Sequence, residues 1–319
     1  MSFLFVIIIT LASTVIFKIY LKLSSGWCRS QKCLIGKTAV VTGANTGIGF
    51  ETALDFAKRG AKVILACRNY AKAAEARRLI IEKTDNTNIH IKLIDFSSFA
   101  SVRSFAKDIN KNEDRLDILV NNAGVMHIGQ EKSKDGYYMS MQVNYFSMFL
   151  LTNLLLDLLK KTDSSRIINV SSFLAKIAFG ANLKNICKHM GNFNMYCRTK
   201  LYIILFTKEL ARRLKDTNVT TYSLHPGAVQ TNIYRHMGKA TALWLSCYPV
   251  KNWLAKTSEE GAQTTIYCSV EKNIEMYSGR HFEDCRAVDD YYYTAKFSKF
   301  QEKLWETTQE LVGLNEELK

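Results

Sequence analysis

Apolar runs of four to seven residues alternate with amphipathic stretches through most of this chain, a rhythm that predicts strands alternating with helices. Ala39 to Val41 read as a short buried strand. Phe50 to Lys58 follow with Phe50, Ala53, Leu54 and Ala57 on one helical face, and Gly60 is the expected stop. Lys62–Cys67 form a second strand, Tyr70–Lys83 an amphipathic helix, and Ile89–Ile94 a third strand closed by Asp95. Phe99–Lys111 are helical with Val102, Phe105, Ala106 and Ile109 inward, and Leu116–Val120 are strand four. Tyr138–Lys160 read as one long helix, Arg166–Val170 as strand five, Met195–Lys215 as a helix and Val219–His225 as strand six. Strands this uniformly apolar, separated by helices, imply a parallel sheet covered on both faces. The expected fold class is therefore α/β, a doubly wound parallel sheet in one domain over residues 36–290, with a helical extension over 291–319.

The N-terminal pattern differs. Phe3 to Phe17 are almost wholly apolar, and with Lys18 snorkelling the run extends to Leu23, near the ~20 residues a bilayer span needs. A removed signal peptide would begin with a basic residue, whereas Met1-Ser2 has none. Residues 1–23 are therefore expected to be a retained membrane anchor and 24–35 a linker. Lys18, Lys22, Arg29, Lys32 and Lys37 follow the span, which places the folded domain on the cytosolic side.

Composition narrows the classes further. The net charge of +14 over 319 residues suits nucleic acid or an anionic membrane. No basic run is interleaved with aromatics for stacking bases, so membrane proximity is expected and nucleic acid is not. Eight cysteines include no Cys-x-x-Cys pair, and no histidine cluster accompanies them, so no metal site is expected. Cys67 and Cys268 fall in apolar stretches and read as buried thiols of a reducing compartment.

Candidate chemistry collects at strand ends. Gly43, Gly47 and Gly49 crowd the turn between the first strand and its helix. Such a turn offers free N–H groups and the positive end of a helix to a phosphate, although similar turns also join strand to helix without a ligand. Arg68 ends strand two where an acid would select the ribose 2′-hydroxyl of NAD, so a basic residue there favours the 2′-phosphate of NADP. Asn121-Asn122-Ala123-Gly124 ends strand four and Ser171-Ser172 ends strand five. Asn144 is a polar break in an apolar helix. Tyr196 and Lys200, four apart, share a helical face, and an ammonium beside a phenol favours phenolate.

Together Thr42 to Gly49, Ala66-Cys67-Arg68, Asn121 to Gly124, Asn169 to Ser172, Tyr196-x-x-x-Lys200 and His225-Pro226-Gly227 resemble the short-chain dehydrogenase/reductase family, closest to its microsomal retinol dehydrogenase branch. The resemblance runs from about Ile35 to about His281 and implies a Rossmann fold and an NADP(H)-dependent oxidoreductase. It implies an endoplasmic reticulum enzyme acting on a lipophilic substrate such as retinol or retinal. By this resemblance Tyr196 exchanges the substrate proton, Lys200 lowers its pKa and holds the nicotinamide ribose, Ser172 orients the substrate oxygen, and Asn144 completes a relay. The implied cofactor contacts are Gly43, Asn45, Thr46, Gly47, Ile48 and Gly49 in the turn, Arg68 at the 2′-phosphate, and Asp95 and Asn122 around the adenosine, with Ala123 and Gly124 beside them. Pro226, Gly227 and Thr231 join Tyr196 and Lys200 at the nicotinamide end.

Phe173-Leu174-Ala175-Lys176 departs from that branch, which carries a small residue and histidines there, and Leu183–Phe193 is about one residue short. Ser147 and Thr199 replace a usual Gly and Ser. A steroid or fatty aldehyde is the alternative substrate, and a silent nucleotide-binding scaffold the alternative class. Residues 228–257, with Trp244 and Trp253, fit a lid, and Phe297–Leu311 form a last amphipathic helix suited to dimer or membrane contact.

Overall fold

The computed structural model describes residues 5, 13–16, 18, 19, 22, 25–126, 129–229, 255–288 and 291–314, with the backbone alone over 291–298. The expected anchor lies mostly outside the described residues, as do 230–254 of the expected lid. Among the described residues no helix is long and apolar enough to cross a membrane.

The chain runs β1 (Thr38–Thr42), α1 (Gly47–Lys58), β2 (Lys62–Cys67), α2 (Tyr70–Thr84), β3 (Ile89–Leu93), α3 (Phe99–Asn112) and β4 (Ile118–Asn121). A short α4 (Met139–Met141) leads through a π turn over Gln142–Phe146 into α5 (Ser147–Leu154) and α6 (Leu156–Lys161). Then come β5 (Ser165–Val170), α7 (Asn192–Arg213), β6 (Val219–His225), α8 (Ser258–Val270), β7 (His281–Glu283), β8 (Arg286–Ala287) and α9 (Tyr291–Leu311). Among the described residues these strands form one sheet in the order β3-β2-β1-β4-β5-β6-β7-β8, parallel through β7. β8 turns back antiparallel through Asp284 and Cys285, both at positive φ. The chain winds outward from β1 to β3 and then restarts at β4, so a crevice opens between the carboxyl ends of β1 and β4.

Period-two alternation sorts the core into two layers. Val40, Ile64, Leu119 and Ile167 face α3, α5 and α7, while Val41, Val63, Val120 and Ile168 face α1, α2 and α8. α9 lies on the first layer, where Trp305 stacks on Phe206 of α7 at 5.5 Å and the Arg213 guanidinium lies over the indole at 4.5 Å. The stripe for which the sequence left dimer or membrane contact open therefore includes buried Leu304 and Trp305 within the protein's own core.

Two expectations need correction, and one helix was missed. The single helix over Tyr138–Lys160 is broken by the π turn and again at Leu155. Strand four begins at Ile118, because the Leu116 N–H donates to Thr162 Oγ1 rather than to a neighbouring strand. α8 was not foreseen, since it is buried on almost every side and shows no polar stripe; its capping box, Thr257 with Glu260, was the available signal.

Residues 26–35, expected as a linker, lie against the body. A side chain at Gly26 would sit 1.9 Å from the Asp284 carbonyl oxygen. The Cys28 N–H donates to Gln263 Oε1 at 3.2 Å, Ser30 Oγ to the Val270 carbonyl at 3.3 Å, and Arg59 to the Ser30 and Lys32 carbonyls. Cys67 and Cys268 are buried free thiols, as their apolar neighbours suggested.

Candidate active site

The crevice, about 630 Å³, is lined by the glycine turn, Arg68, Asp95, Asn122 to Gly124, Ser171, Ser172, Tyr196, Lys200 and Pro226 to Val229. One wall is backbone. Gly43 and Gly47 take φ of 67° and 61°, a region that costs other residues steric strain. A Cβ on Gly49 would meet Asn122 Nδ2 and the Gly43 carbonyl oxygen, each at 2.5 Å. Thr46 precedes α1 without a side-chain cap, and the first turn carries no acid, so its N–H groups and the helix dipole face the crevice.

Thr42 holds this wall to β4. Its Oγ1 donates to the Val120 carbonyl and accepts the N–H groups of Asn122 and Ala123, both at 2.9 Å, while Asn122 Nδ2 donates to the Thr42 carbonyl at 2.8 Å. The sequence offered Thr42 as motif but not as a site residue. Farther out Asp95 Oδ1 accepts from the N–H and Oγ of Ser97, and Arg68 is exposed at the tip of β2.

Asn144 sits in the π turn. Its Oδ1 accepts the Val125 N–H at 2.8 Å, and its Nδ2 donates to the Val125 carbonyl and to Thr199 Oγ1. Thr199 Oγ1 in turn donates to the Tyr196 carbonyl at 2.7 Å. Thr199 thus ties Asn144 to the helix of Tyr196, a role the sequence did not show. A Cβ on Gly124 would lie 3.5 Å from both Asn144 Oδ1 and Lys200 Nζ, so this glycine leaves the space where the two converge.

Lys200 is buried and donates from Nζ to the Val170 carbonyl at 2.9 Å. Burial pushes its amine down to about 8. The same Nζ lies 5.6 Å from the centroid of the Tyr196 ring. The two serines differ: Ser171 Oγ donates to the Lys200 carbonyl at 2.7 Å, whereas Ser172 Oγ accepts the Leu174 N–H at 3.2 Å and keeps its proton to offer. Arg198, fully buried, donates to the Asn185 carbonyl and the Tyr202 hydroxyl and fixes the loop before α7 to that helix. Gly227, at φ 87°, closes a turn in which its N–H donates to His225 Nδ1 at 2.9 Å. Thr231 lies outside the described residues.

Elongated, glycine-floored and met by a helix N-terminus, this crevice fits a dinucleotide, with a phenol, an amine and a hydroxyl converging at one end.

The short chain dehydrogenase family profile matches residues 37–242. Retinol dehydrogenase 11 of Mus musculus is 44% identical over 300 residues, covering 93% of each chain. Retinol dehydrogenase 12 of Homo sapiens is 40% identical over 296 residues, covering 91% of each. Among solved structures, an uncharacterised protein from Mycobacterium paratuberculosis superposes with a TM-score of 0.70 at 27% identity, over 91% of this chain and 98% of that one. The chain belongs to the short-chain dehydrogenase family, as an oxidoreductase of the branch that holds these retinol dehydrogenases.

Proposed function

We propose that the protein interconverts an alcohol and a carbonyl on a lipophilic substrate, a retinoid by preference, with NADP(H), while anchored by residues 1–23 in the endoplasmic reticulum membrane and facing the cytosol. One observation carries the reading: Tyr196, Lys200 and Ser172 converge on one end of a crevice whose opposite end is floored by the glycine turn and rimmed by Arg68. The nicotinamide, when bound, supplies or accepts the hydride. Tyr196 Oη holds the proton that the substrate oxygen gains or loses. The Lys200 ammonium favours the phenolate form and, aimed at the same end, holds the ribose. Ser172 Oγ donates to the substrate oxygen and steadies the charge that grows there. Asn144, fixed by Val125 and Thr199, keeps Lys200 in reach of a proton relay. Arg68 supplies charge for the 2′-phosphate, and the anchor places the mouth where a lipid partitions.

Support for the retinoid comes from the names of relatives 40–44% identical over nearly the whole chain. The test is turnover of retinal, a steroid ketone and a long-chain aldehyde by membrane fractions, each with NADPH and NADH. Retinal reduction with NADPH preferred is the expected result. Preference for the steroid or aldehyde would replace the substrate, and no turnover of any carbonyl would overturn the enzyme reading. Protease added outside sealed microsomes should digest the domain; full protection would overturn the topology.

A further inference from the structure

Glu283, on strand β7 one strand in from the sheet edge, has no part in the chemistry above, yet its two carboxylate oxygens meet side chains from two segments whose neighbours line the crevice. Oε1 accepts from Lys176 Nζ at 2.8 Å, and Oε2 faces His225 Nε2 at 3.4 Å. His225 Nδ1 already accepts the Gly227 N–H, so the proton of the neutral ring sits on Nε2 and points at the carboxylate. Burial alone would raise the Glu283 carboxyl; Lys176 and His225 hold it below the usual carboxylate range. Phe173 packs its edge against the His225 ring at 6.3 Å. Lys176 lies in the 3-10 turn Phe173–Ile177 that Ser172 caps, and His225 opens the turn of Pro226 and Gly227. One carboxylate thus joins the segment that carries Ser172 to the segment at the nicotinamide end.

We propose that Glu283 is a positioning residue, a tie through Lys176 and His225 that sets the distance between Ser172 and the Pro226-Gly227 turn. The proposal rests on the active-site reading above for its effect on rate, and on the structure alone for its effect on order. Without the tie each segment keeps its own short hydrogen bonds but loses its register to the other. Small displacements of a substrate-orienting group cost rate far more than binding.

The test uses the full-length protein with Glu283→Gln, which keeps the shape and removes the charge, Lys176→Met, their combination, and Lys176→Arg. Both single variants should lower kcat/KM for the carbonyl about 10-fold while the NADPH dissociation constant stays put. The double variant should do no worse than the weaker single, because both remove one interaction. Lys176→Arg should keep activity within about two-fold of the parent, since it restores the donor. Backbone amide exchange over 173–178 should quicken in Glu283→Gln and Lys176→Met but not over β5. Additive losses, an equal fall in NADPH affinity, or unchanged exchange over 173–178 would overturn the tie. Should the parent reduce no carbonyl, the enzyme reading falls while the exchange measurement still decides the tie.

Discussion

On the β1–β4 side of the crevice, polar contacts run largely between backbone groups and the two side chains that serve them, Thr42 and Asn122, with glycines where no side chain fits. On the β5–β7 side the wall is made largely of side chains on loops, Ser172, Leu174, Pro226 and Val229 among them, and those loops are held by distant partners such as Glu283. A wall of backbone suits a ligand whose shape does not vary. A wall of side chains on turns suits a ligand whose shape is to be selected. Tyr196 and Lys200, the proposed reacting groups, stand where the two meet.

That contrast breaks most sharply at the junction. Tyr196→Phe keeps the ring and its packing but removes the group that exchanges the proton, so kcat should fall by roughly 10²–10⁴ while NADPH still binds. Near-parental turnover, measured by cofactor absorbance, would move the acid/base elsewhere.

Lys200 gives the next largest effect, visible without cofactor. Its amine falls from the ordinary 10.5 to about 8 through burial, so between these values the folded chain has released a proton that the unfolded chain still holds. The contribution of Lys200 should therefore favour the folded state increasingly as pH rises across that window, by up to roughly 3 kcal/mol. The difference in urea midpoint between the parent and Lys200→Met should shift with pH accordingly, which separates it from the buried thiols and phenols that titrate in the opposite sense; a difference that does not change with pH would refute the shift.

Arg68 tests the backbone wall at its cationic rim. Arg68→Ala should weaken NADPH by ~1.5–3 kcal/mol and leave NADH nearly unchanged. Equal losses in titration would remove Arg68 from cofactor choice.

The smallest effect separates adjacent serines. Ser171→Ala loses a bond to the Lys200 carbonyl and should cost about 1 kcal/mol in melting, whereas Ser172→Ala should spare the melt and lower kcat. The reverse pattern would exchange their roles.

Legibility followed the same division. Gly43, Gly47 and Gly49 betray the backbone wall because only glycine tolerates those turns, so spacing alone located it. Tyr196 and Lys200 were readable because four residues on a helix fix a common face. The other wall depends on pairs far apart in sequence: Lys176 with Glu283 is 107 residues distant, and no local pattern reports it. The π turn at Asn144 was hidden because its apolar neighbours keep a helical period. β7 and β8 were missed for shortness, three and two residues leaving no room for alternation to show.

The packing of residues 26–35 carries a mechanical consequence. Twelve flexible residues would let a tethered domain wander ~20 Å from its point of attachment. Here the chain is clamped at Gly26, Cys28 and Ser30, so the leash ends before it begins. The domain is then a bracket rather than a pendulum. If the proposed anchor grips a membrane, the clamp at Gly26 leaves no slack after residue 26 between that anchor and the mouth of the crevice. Lengthening the chain between residues 25 and 26 would introduce slack ahead of the clamp while leaving every group in the crevice untouched.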